Sequence, residues 1–402
     1  MLMSATASDT AKRSIYLDHS ASTPVDPRVV EAMAPFFSDS YGNPSGVHRQ
    51  ARASARALDE ARFDVADVLG CKPKEVVFTG CGTESDNLAI RGVGFASQAP
   101  GQRQHMVTSA IEHHAVSHTI EQMCAHFGFE QTVVPVDENG VIDPADVERA
   151  IRPRTVLISV IYANNEVGSI QPLAAIGDIA HRRGIPFHTD AVQAGGYLDL
   201  NVTRLNTDLL SLSGHKFYAP KGVGVLYVRE GVRLLPNQTG GGHEGARRAG
   251  TENVPCIIGM ATALKLAQAS RSAETARVTA LRDRLVQGIQ VAVPDARLTG
   301  HPQQRLPNHA SFVIPGVDAG AMLMHLDMAG ICAASGSACN TGLPEPSPIL
   351  LAMGLDPQLA SGALRLTLGW GTQAADIEYV LEVLPEIVHR LRTMRPVYAP
   401  MV

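Results

Sequence analysis

Residues 75–84 have the sequence EVVFTGCGTE, and this short stretch shows the unit from which much of the chain is built. Its first half is rich in β-branched and aromatic residues, which predicts a strand over residues 75–79. The glycines that follow predict a sharp turn, and a helical pattern begins near Glu84. A strand that leads directly into a helix is the building block of parallel sheets.

The same alternation of strand and helix continues on both sides of this stretch. Apolar residues recur at helical spacing over residues 46–69, and Gly70 ends that helix. Short apolar runs predict six further strands, at 107–108, 133–136, 156–160, 186–189, 209–212 and 223–228. Because helical patterns separate most of them, we expect an α/β fold whose mostly parallel seven-stranded sheet is covered on both faces.

A smaller α/β region follows the sheet. A long helical stretch after Pro255 leads into it, and an amphipathic helix bearing Ile377 and Leu391 closes it. Fewer strands are predicted between these helices, at 311–314, 331–334 and 363–368. We therefore expect a large domain over residues 15–265 and a small C-terminal domain over 266–402, with segment 1–24 packed on or near the small one.

The composition excludes several classes of protein. The chain has 402 residues and a net charge of −5, so no stable nucleic-acid binding is expected. Neither a membrane span nor a signal peptide is visible, so we expect no membrane association. The 6 cysteines form no CxxC pair. This pattern predicts reduced thiols in a cytoplasmic protein, without a metal site or a disulfide scaffold.

A lysine and an aspartate follow two of the predicted strands. Lys216 ends the run Ser213-Gly214-His215-Lys216, at the sheet edge where open α/β folds bind ligands. Lysine amines in such places form Schiff bases with pyridoxal. A lone loop lysine is more often solvated, as we expect of Lys221. Asp190 follows another buried strand, where it either pairs with a pyridine nitrogen or caps the next helix.

Three further motifs accompany this pair. The turn at residues 80–83 opens a helix, and helix N-termini favour phosphate, to which Ser213 and His215 can add donors. His113 is placed to stack on a cofactor ring and to move protons, although a lone histidine is more often a surface or capping residue. Cys339 begins a polar segment rich in glycine and proline, and a thiol in that setting can reach a site and react.

Taken together, these segments resemble the cysteine desulfurases of the nitrogen-fixation and iron–sulfur-assembly branch. These are fold-type-I pyridoxal-phosphate enzymes of the class V aminotransferase group. The resemblance extends from Tyr16-Leu17-Asp18 through Gly42-Asn43-Pro44-Ser45 to Arg365. It implies pyridoxal 5'-phosphate as cofactor and conversion of L-cysteine to L-alanine, with the sulfur carried on Cys339 as a persulfide.

The resemblance also implies roles for individual residues. Lys216 would be the Schiff-base lysine, Asp190 the partner of the pyridine nitrogen, and His113 the stacking residue. The other implied cofactor contacts are Gln193 at the phenolic oxygen, Asn165, and Gly82, Thr83, Ser213 and His215 at the phosphate. Thr251 would reach the phosphate of a neighbouring subunit, which implies a homodimer. Asn43, Asn165 and Arg365 would bind the substrate, the arginine by forking onto its carboxylate.

The segment after Cys339 has the longer form found in enzymes that pass sulfur directly to other proteins. A sulfur-acceptor or iron–sulfur scaffold protein is therefore the expected partner. Two positions depart from the family pattern: Cys81 lies in a turn that often reads Ser-Gly-Ala-Thr, and Gly245 replaces a frequent arginine. The alternatives are a selenocysteine lyase, another class V aminotransferase-like enzyme, or an inactive scaffold. The presence of both Lys216 and Cys339 argues against the scaffold.

Overall fold

The computed structural model describes residues 14–98, 104–336 and 346–394. The strands in these ranges are β1 (Ile15–Tyr16), β2 (Val76–Thr79), β3 (His105–Ser109), β4 (Glu130–Val134), β5 (Thr155–Ser159), β6 (Phe187–Asp190), β7 (Leu209–Ser213), β8 (Gly224–Val228), β9 (Arg297–Leu298), β10 (His309–Val313), β11 (Ile331–Cys332) and β12 (Ala363–Thr367).

The helices lie between these strands and at the ends of the chain. They are α1 (Pro27–Met33), α2 (Pro35–Ser38), α3 (Arg49–Leu69), α4 (Gly82–Ala96), α5 (His114–Phe127), α6 (Pro144–Ala150), α7 (Leu173–Arg182), α8 (Val202–Leu205), α9 (Val254–Ala292), α10 (Ala319–Met328), α11 (Pro348–Ala352), α12 (Pro357–Ala360) and α13 (Ala374–Met394). Short 3₁₀ turns cover Pro73–Glu75, Gly214–Lys216 and His243–Ala246. None of the helices in the described ranges is long and apolar enough to cross a membrane.

The main sheet confirms the predicted α/β fold. Its 7 strands lie in the order β2-β8-β7-β6-β5-β3-β4. All neighbours are parallel except β8, which runs antiparallel to both β2 and β7. Every residue of β3, β7 and β8 is buried, so both faces of these strands are covered by the rest of the protein. The carboxyl ends of β6 and β7 therefore emerge side by side at one edge of the sheet.

Local chemistry sets the ends of several elements. Gly70 ends α3 in the left-handed conformation, with φ of 66°, as the sequence predicted. The strand predicted over 133–136 is instead β4, which ends at Val134. Pro135 follows, and its missing N–H cannot continue the ladder of hydrogen bonds.

The C-terminal part has a separate, three-stranded antiparallel sheet in the order β12-β10-β9. Strand β1 pairs in parallel with β11, so residues 15–16 lie against this part. The predicted strand over 331–334 is shorter than expected and covers Ile331–Cys332. Helix α9 is continuous over 39 residues and passes through position 265, so the division into two domains stays a prediction.

Candidate active site

The side chains predicted to carry the chemistry meet where β6 and β7 end. Asp190 is the last residue of β6 and pairs with Ser211 of β7, and Lys216 lies in the 3₁₀ turn directly after β7. The Lys216 Nζ donates hydrogen bonds to the carbonyl oxygens of Ser20 at 2.6 Å and Ala21 at 2.8 Å. The amine is thus held at the sheet edge by the segment that follows β1.

Gln193 joins the same group through a shared acceptor. Its Nε2 donates to the Ser20 carbonyl oxygen at 3.0 Å, the oxygen that also accepts from Lys216. Asp190 accepts a hydrogen bond from the backbone N–H of Val192 at 2.9 Å. Asp190, Gln193 and Lys216, which the sequence predicted to act on one cofactor, therefore lie within one small region.

His113 faces this region and also caps a helix. Its Nδ1 accepts a hydrogen bond from the backbone N–H of Ala115 at 3.1 Å, at the start of α5. Burial lowers the pKa of His113, the charge of Asp190 opposes that shift, and Lys216 adds to it. The structure thus shows the capping role of His113, whereas its predicted role at a cofactor ring stays a prediction.

Two more acids lie behind Asp190, and the sequence reasoning gave neither a role. Asp86 and Glu112 are fully buried, and both interact electrostatically with Asp190. Burial raises the pKa of Glu112 to about 8 and that of Asp86 well above its usual range. Burial also raises the pKa of Asp190, against the attraction of His113 and Lys216. Burial together with the repulsion from Asp190 disfavours the charged forms of Asp86 and Glu112.

The acid cluster is held by polar contacts from several strands. Glu112 Oε1 accepts from the Ser109 hydroxyl and, at 2.9 Å, from the N–H of Ile161. Nε2 of the buried His188 lies 3.6 Å from Asp86 Oδ1, and burial lowers the pKa of His188 to about 3. Among the described residues, Asp86 Oδ1 and Glu112 Oε2 have no hydrogen-bond partner. The cluster therefore contains more carboxyl oxygens than the described donors around it can satisfy.

The predicted phosphate turn lies beside the end of β7. A Cβ placed on Gly82 would come within 2.7 Å of the Val192 side chain and 3.0 Å of the Ser213 Cβ, so only glycine fits there. Cys81 caps α4, since its sulfur accepts from the N–H of Glu84 at 3.4 Å. Thr83 is exposed in the first turn of the same helix. Gly82 and Ser213 thus line one side of a helix N-terminus.

His215 lies next to Lys216, below the predicted phosphate position. Its Nδ1 is 3.3 Å from the Ser22 hydroxyl, and its carbonyl oxygen accepts from both the N–H and the hydroxyl of Thr23. Burial lowers the pKa of His215 to about 4, with Lys216 contributing. His215 is therefore neutral near pH 7, and it can serve an anion only as a hydrogen-bond donor.

Arg365 and Asn165, the predicted substrate clamp, are in direct contact, although their role at a substrate stays a prediction. Arg365 Nη1 donates to the carbonyl oxygen of Asn165 at 3.0 Å, and Nη2 pairs with Asp18 Oδ1 at 2.9 Å. The buried His309 also donates to the Asn165 carbonyl, at 3.1 Å. Among the described residues, the buried Arg365 Nε has no acceptor. The guanidinium is thus fixed in place with one donor still unsatisfied.

Three predicted site residues are not tied to this centre by the contacts described. Asn43 is exposed, and its Oδ1 accepts from the N–H of Ser45 at 3.0 Å within its own turn. Thr251 is exposed as well, ahead of α9. Cys339 lies outside the described residues. Their predicted roles therefore stay predictions.

Other residues of the site were missed because they carry weak sequence signals. Ser20 and Ala21 act through backbone oxygens, which any residue supplies. Glu112 and Glu166 are the sequence neighbours of His113 and Asn165, but how far each is shielded from solvent is a property of the fold. A carboxylate beside a predicted site residue at a strand end is the signal that identifies such candidates.

Comparison with known proteins is consistent with this geometry. A family model described as "Aminotransferase class-V" matches residues 15–380. A relative named "Cysteine desulfurase IscS", from Methanosarcina thermophila, is 46% identical over 387 residues, covering 96% of this chain and 95% of its own length. The chain belongs to the cysteine desulfurases of the class V aminotransferase family.

Solved structures agree with the placement of this desulfurase. A "NIFS-LIKE PROTEIN" superposes with a TM-score of 0.88 at 34% identity, covering 94% of this chain and 100% of its own. A protein described as "SspA in complex with cysteine" gives a TM-score of 0.77 at 36% identity, covering 88% of this chain and 99% of its own. The predicted family, fold class and enzyme activity are thereby confirmed, and the family is one of pyridoxal-phosphate enzymes.

Proposed function

We propose that Lys216, Asp190, Gln193 and His113 hold pyridoxal 5'-phosphate and use it to desulfurate L-cysteine. The observation that carries the proposal is the meeting of Lys216 and Gln193 on one carbonyl oxygen beside the buried Asp190. The acid cluster around Asp190 fits a protonated pyridine ring, since a cation there compensates carboxyl charge that burial otherwise disfavours. Gly82 and Ser213 fit a phosphate, because they leave room against the N-terminus of α4.

The reaction needs protons moved at the α-carbon and β-carbon of the substrate and one negative charge stabilised. When bound, pyridoxal phosphate supplies an electron sink for the negative charge that develops at the substrate α-carbon. Arg365 and Asn165 bind the substrate carboxylate, for which the unsatisfied Arg365 Nε is a suitable donor. The Lys216 amine removes the α-proton, and Asp190 keeps the ring nitrogen protonated. His113 faces the reacting atoms with a neutral imidazole and moves protons to and from them.

Sulfur then leaves the substrate for Cys339. The Cys339 thiolate attacks the substrate sulfur, a sulfur–sulfur bond forms, and the carbon–sulfur bond breaks with its electron pair staying on the β-carbon. Protonation of that carbon and of the α-carbon gives L-alanine. The balance is one L-cysteine and one Cys339 thiol giving one L-alanine and one Cys339 persulfide.

The wider setting belongs to the same proposal. A homodimer is supported by the exposed Thr251 and by exposed apolar side chains in α2 and in the segment that joins it to α3, at Phe37, Tyr41 and Val47. A sulfur-acceptor or iron–sulfur scaffold protein takes the persulfide sulfur, as the long segment after Cys339 and the IscS relative suggest. The cytoplasmic location predicted from the thiols also remains part of the proposal.

The test is release of alanine and sulfide from L-cysteine with a reductant present. Cys339→Ala is compared with wild type, and Cys332→Ala is the matched control, because Cys332 is a partly exposed thiol that lies near Cys339 in the sequence. We expect loss of turnover in the first variant with the cofactor absorbance kept, and near-normal turnover in the second. Wild-type rates in Cys339→Ala would contradict the assignment of the acceptor.

A further inference from the structure

Glu166 follows Asn165 in the turn after β5, and neither the acid cluster nor the substrate clamp contains it. The turn is fixed from within, because Asn164 Oδ1 accepts from the N–H groups of Glu166 at 2.8 Å and Val167 at 2.9 Å. Asn164 itself is fully buried and donates to the Ile111 carbonyl oxygen at 2.9 Å. The Glu166 side chain therefore leaves a rigid turn in a defined direction.

The Glu166 carboxylate contacts Gly336 and Ser347, which are both far from Glu166 in the sequence. The Ser347 hydroxyl donates a hydrogen bond of 2.5 Å to Glu166 Oε2. A Cβ placed on Gly336 would lie 2.3 Å from the same oxygen and 3.5 Å from the Ser347 Cβ. Gly336 and Ser347 are thus neighbours in space, with one carboxylate oxygen against both. The residues between them in sequence include Cys339.

Ser347 also caps a helix, and this second contact determines that Ser347 is the donor in its hydrogen bond with Glu166. Its oxygen caps α11 by accepting from the N–H groups of Ile349 at 3.2 Å and Leu350 at 3.4 Å. With its lone pairs used by the helix, the hydroxyl has its proton left to donate, and Glu166 is the acceptor. The start of α11 is therefore fastened to the turn that carries Asn165.

The charged group that acts on Glu166 is Arg365, which belongs to the proposed substrate clamp. Arg365 on β12 attracts it, and Arg365 is itself paired with Asp18 after β1. His309 on β10 lies on the other side of the turn and contacts the Asn165 carbonyl. Burial raises the pKa of Glu166 to about 7, while Ser347 and Arg365 oppose that shift. Its position next to a donor and a cation keeps a charged form available at neutral pH.

We propose that Glu166 is a positioning residue for sulfur transfer, which holds Gly336 and Ser347 against the turn that bears Asn165. In this role it fixes the two points of the chain that flank the sulfur acceptor, relative to the clamp for the substrate carboxylate. It does not take part in removing the α-proton. The inference rests on the proposed function of Cys339, Lys216 and Arg365.

The test separates two half-reactions in the cofactor-loaded enzyme. Deuterium incorporation at the α-carbon of L-alanine in D₂O depends on Lys216 and Arg365 but not on Cys339. Persulfide formation on Cys339 from L-cysteine depends on all three. For Glu166→Ala we expect persulfide formation to fall at least about tenfold, as loss of a charge-assisted hydrogen bond implies, with deuterium exchange within about twofold of wild type.

Substitutions at Ser347 provide a matched pair. Asparagine and aspartate cap helices about equally well. Ser347→Asn keeps a donor for Glu166, whereas Ser347→Asp places a second carboxylate against it. We expect near-normal persulfide formation in the first and about a tenfold loss in the second, since the hydrogen bond becomes a repulsion. Adding Glu166→Gln to Ser347→Asp restores a donor–acceptor pair and should recover most of the rate.

A cap elsewhere controls for general loosening of the C-terminal part. Asp318 caps α10 by accepting from the N–H of Ala321 at 2.9 Å, and Asp318→Ala should leave both half-reactions near wild type. Parallel loss of exchange and persulfide in the Glu166 variants would overturn the inference, and so would equal rates in the asparagine and aspartate variants. If wild type itself forms no persulfide on Cys339, the proposed function fails instead, independently of Glu166.

Discussion

Two acidic regions lie at the site, one buried around Asp190 and one partly buried at Glu166, and they differ in how many hydrogen-bond donors and cations the chain supplies to them. Beside Asp190, burial and the charge of Asp190 raise the pKa of both Asp86 and Glu112, and each of the two has an oxygen without a partner among the described residues. Glu166, by contrast, has its own donor in Ser347 and its own cation in Arg365. The comparison agrees with the proposal that a cationic cofactor completes the first region, whereas the second already has a donor and a cation from the chain itself and is proposed to position it.

The largest expected effect comes from neutralising Asp190. Asp190→Asn removes the charge that holds a proton on the ring nitrogen, and hydrogen bonds to charged groups contribute about 1.5–3 kcal/mol. Alanine formation should therefore fall by roughly 10–100-fold, with weaker retention of the cofactor. The measurement is the steady-state rate together with the cofactor absorbance after gel filtration. Glu166→Gln is the control and should retain the cofactor fully. Equal loss of cofactor from the two variants would contradict the distinction between the two regions.

Two glycines sharpen the same comparison by steric means. In Gly82→Ala the new Cβ meets Val192 and Ser213, and in Gly336→Ala it meets Glu166 Oε2. Overpacking of this kind costs about 1–3 kcal/mol, so we expect cofactor affinity to drop about tenfold in Gly82→Ala. Gly336→Ala should bind the cofactor normally and lose persulfide formation. Titration of the cofactor-free proteins with pyridoxal phosphate measures the affinity of each variant. Weak cofactor binding in Gly336→Ala, with normal binding in Gly82→Ala, would contradict the comparison.

A smaller effect is expected on the stability of the cofactor-free protein. A carboxyl whose folded pKa is raised binds its proton more tightly in the folded state, so its contribution to stability is greatest at low pH. That contribution declines from pH 4.5 to the folded pKa, which for Glu112 is about 8. In the wild type, Glu112 should therefore lower the unfolding free energy by about 1 kcal/mol as the pH rises from 7 to 8. Glu112→Gln should lack this decrease.

Urea denaturation across this pH range provides the measurement. Histidines whose pKa is lowered, such as His188 at about 3, have the opposite sign and lose their contribution only as the pH falls below their unfolded value near 6.5. They do not interfere above pH 7. Glu166→Gln serves as a comparison, because its pKa of about 7 places most of its change at lower pH. Identical slopes for wild type and Glu112→Gln would show that Glu112 is ionised throughout.

The smallest expected effect concerns Cys81, the family departure in the phosphate turn. Its sulfur is a weak cap for α4, and serine is a preferred capping residue. Cys81→Ser should raise the unfolding free energy by about 0.5 kcal/mol and keep alanine formation. Thermal unfolding of the two proteins checks the first point. A large loss of activity would instead assign the thiol a part in the reaction.

The sequence predicted the first acidic region better than the second for a physical reason. Lys216 and Asp190 each follow an apolar strand, and the carboxyl ends of parallel strands meet at one edge, so their proximity follows from the pattern. Glu112 and Asp86 lie at the same edge, but their raised pKa values result from burial. The few residues around each of them in the sequence do not reveal that burial. The contribution of Ser20 was invisible because its backbone oxygen makes the contact.

The second region depends on contacts between distant parts of the chain. Glu166 and Ser347 are separated by 181 positions, and Arg365 and Asp18 by 347. No local periodicity relates such residues. Resemblance to a known family placed Arg365 and Asn165 at the substrate, but the hydrogen bond between them and the link from Glu166 to Gly336 and Ser347 required the folded structure.

The most direct test of the account is to map sulfur after a single turnover. Cofactor-loaded protein receives less than one equivalent of L-cysteine, is quenched with an alkylating agent, and is digested for mass spectrometry of every cysteine-containing peptide. The account predicts one additional sulfur atom on the peptide containing Cys339, in proportion to the alanine formed. Additional sulfur on the peptides of Cys81 or Cys332, or alanine formed without any protein-bound sulfur, would contradict it.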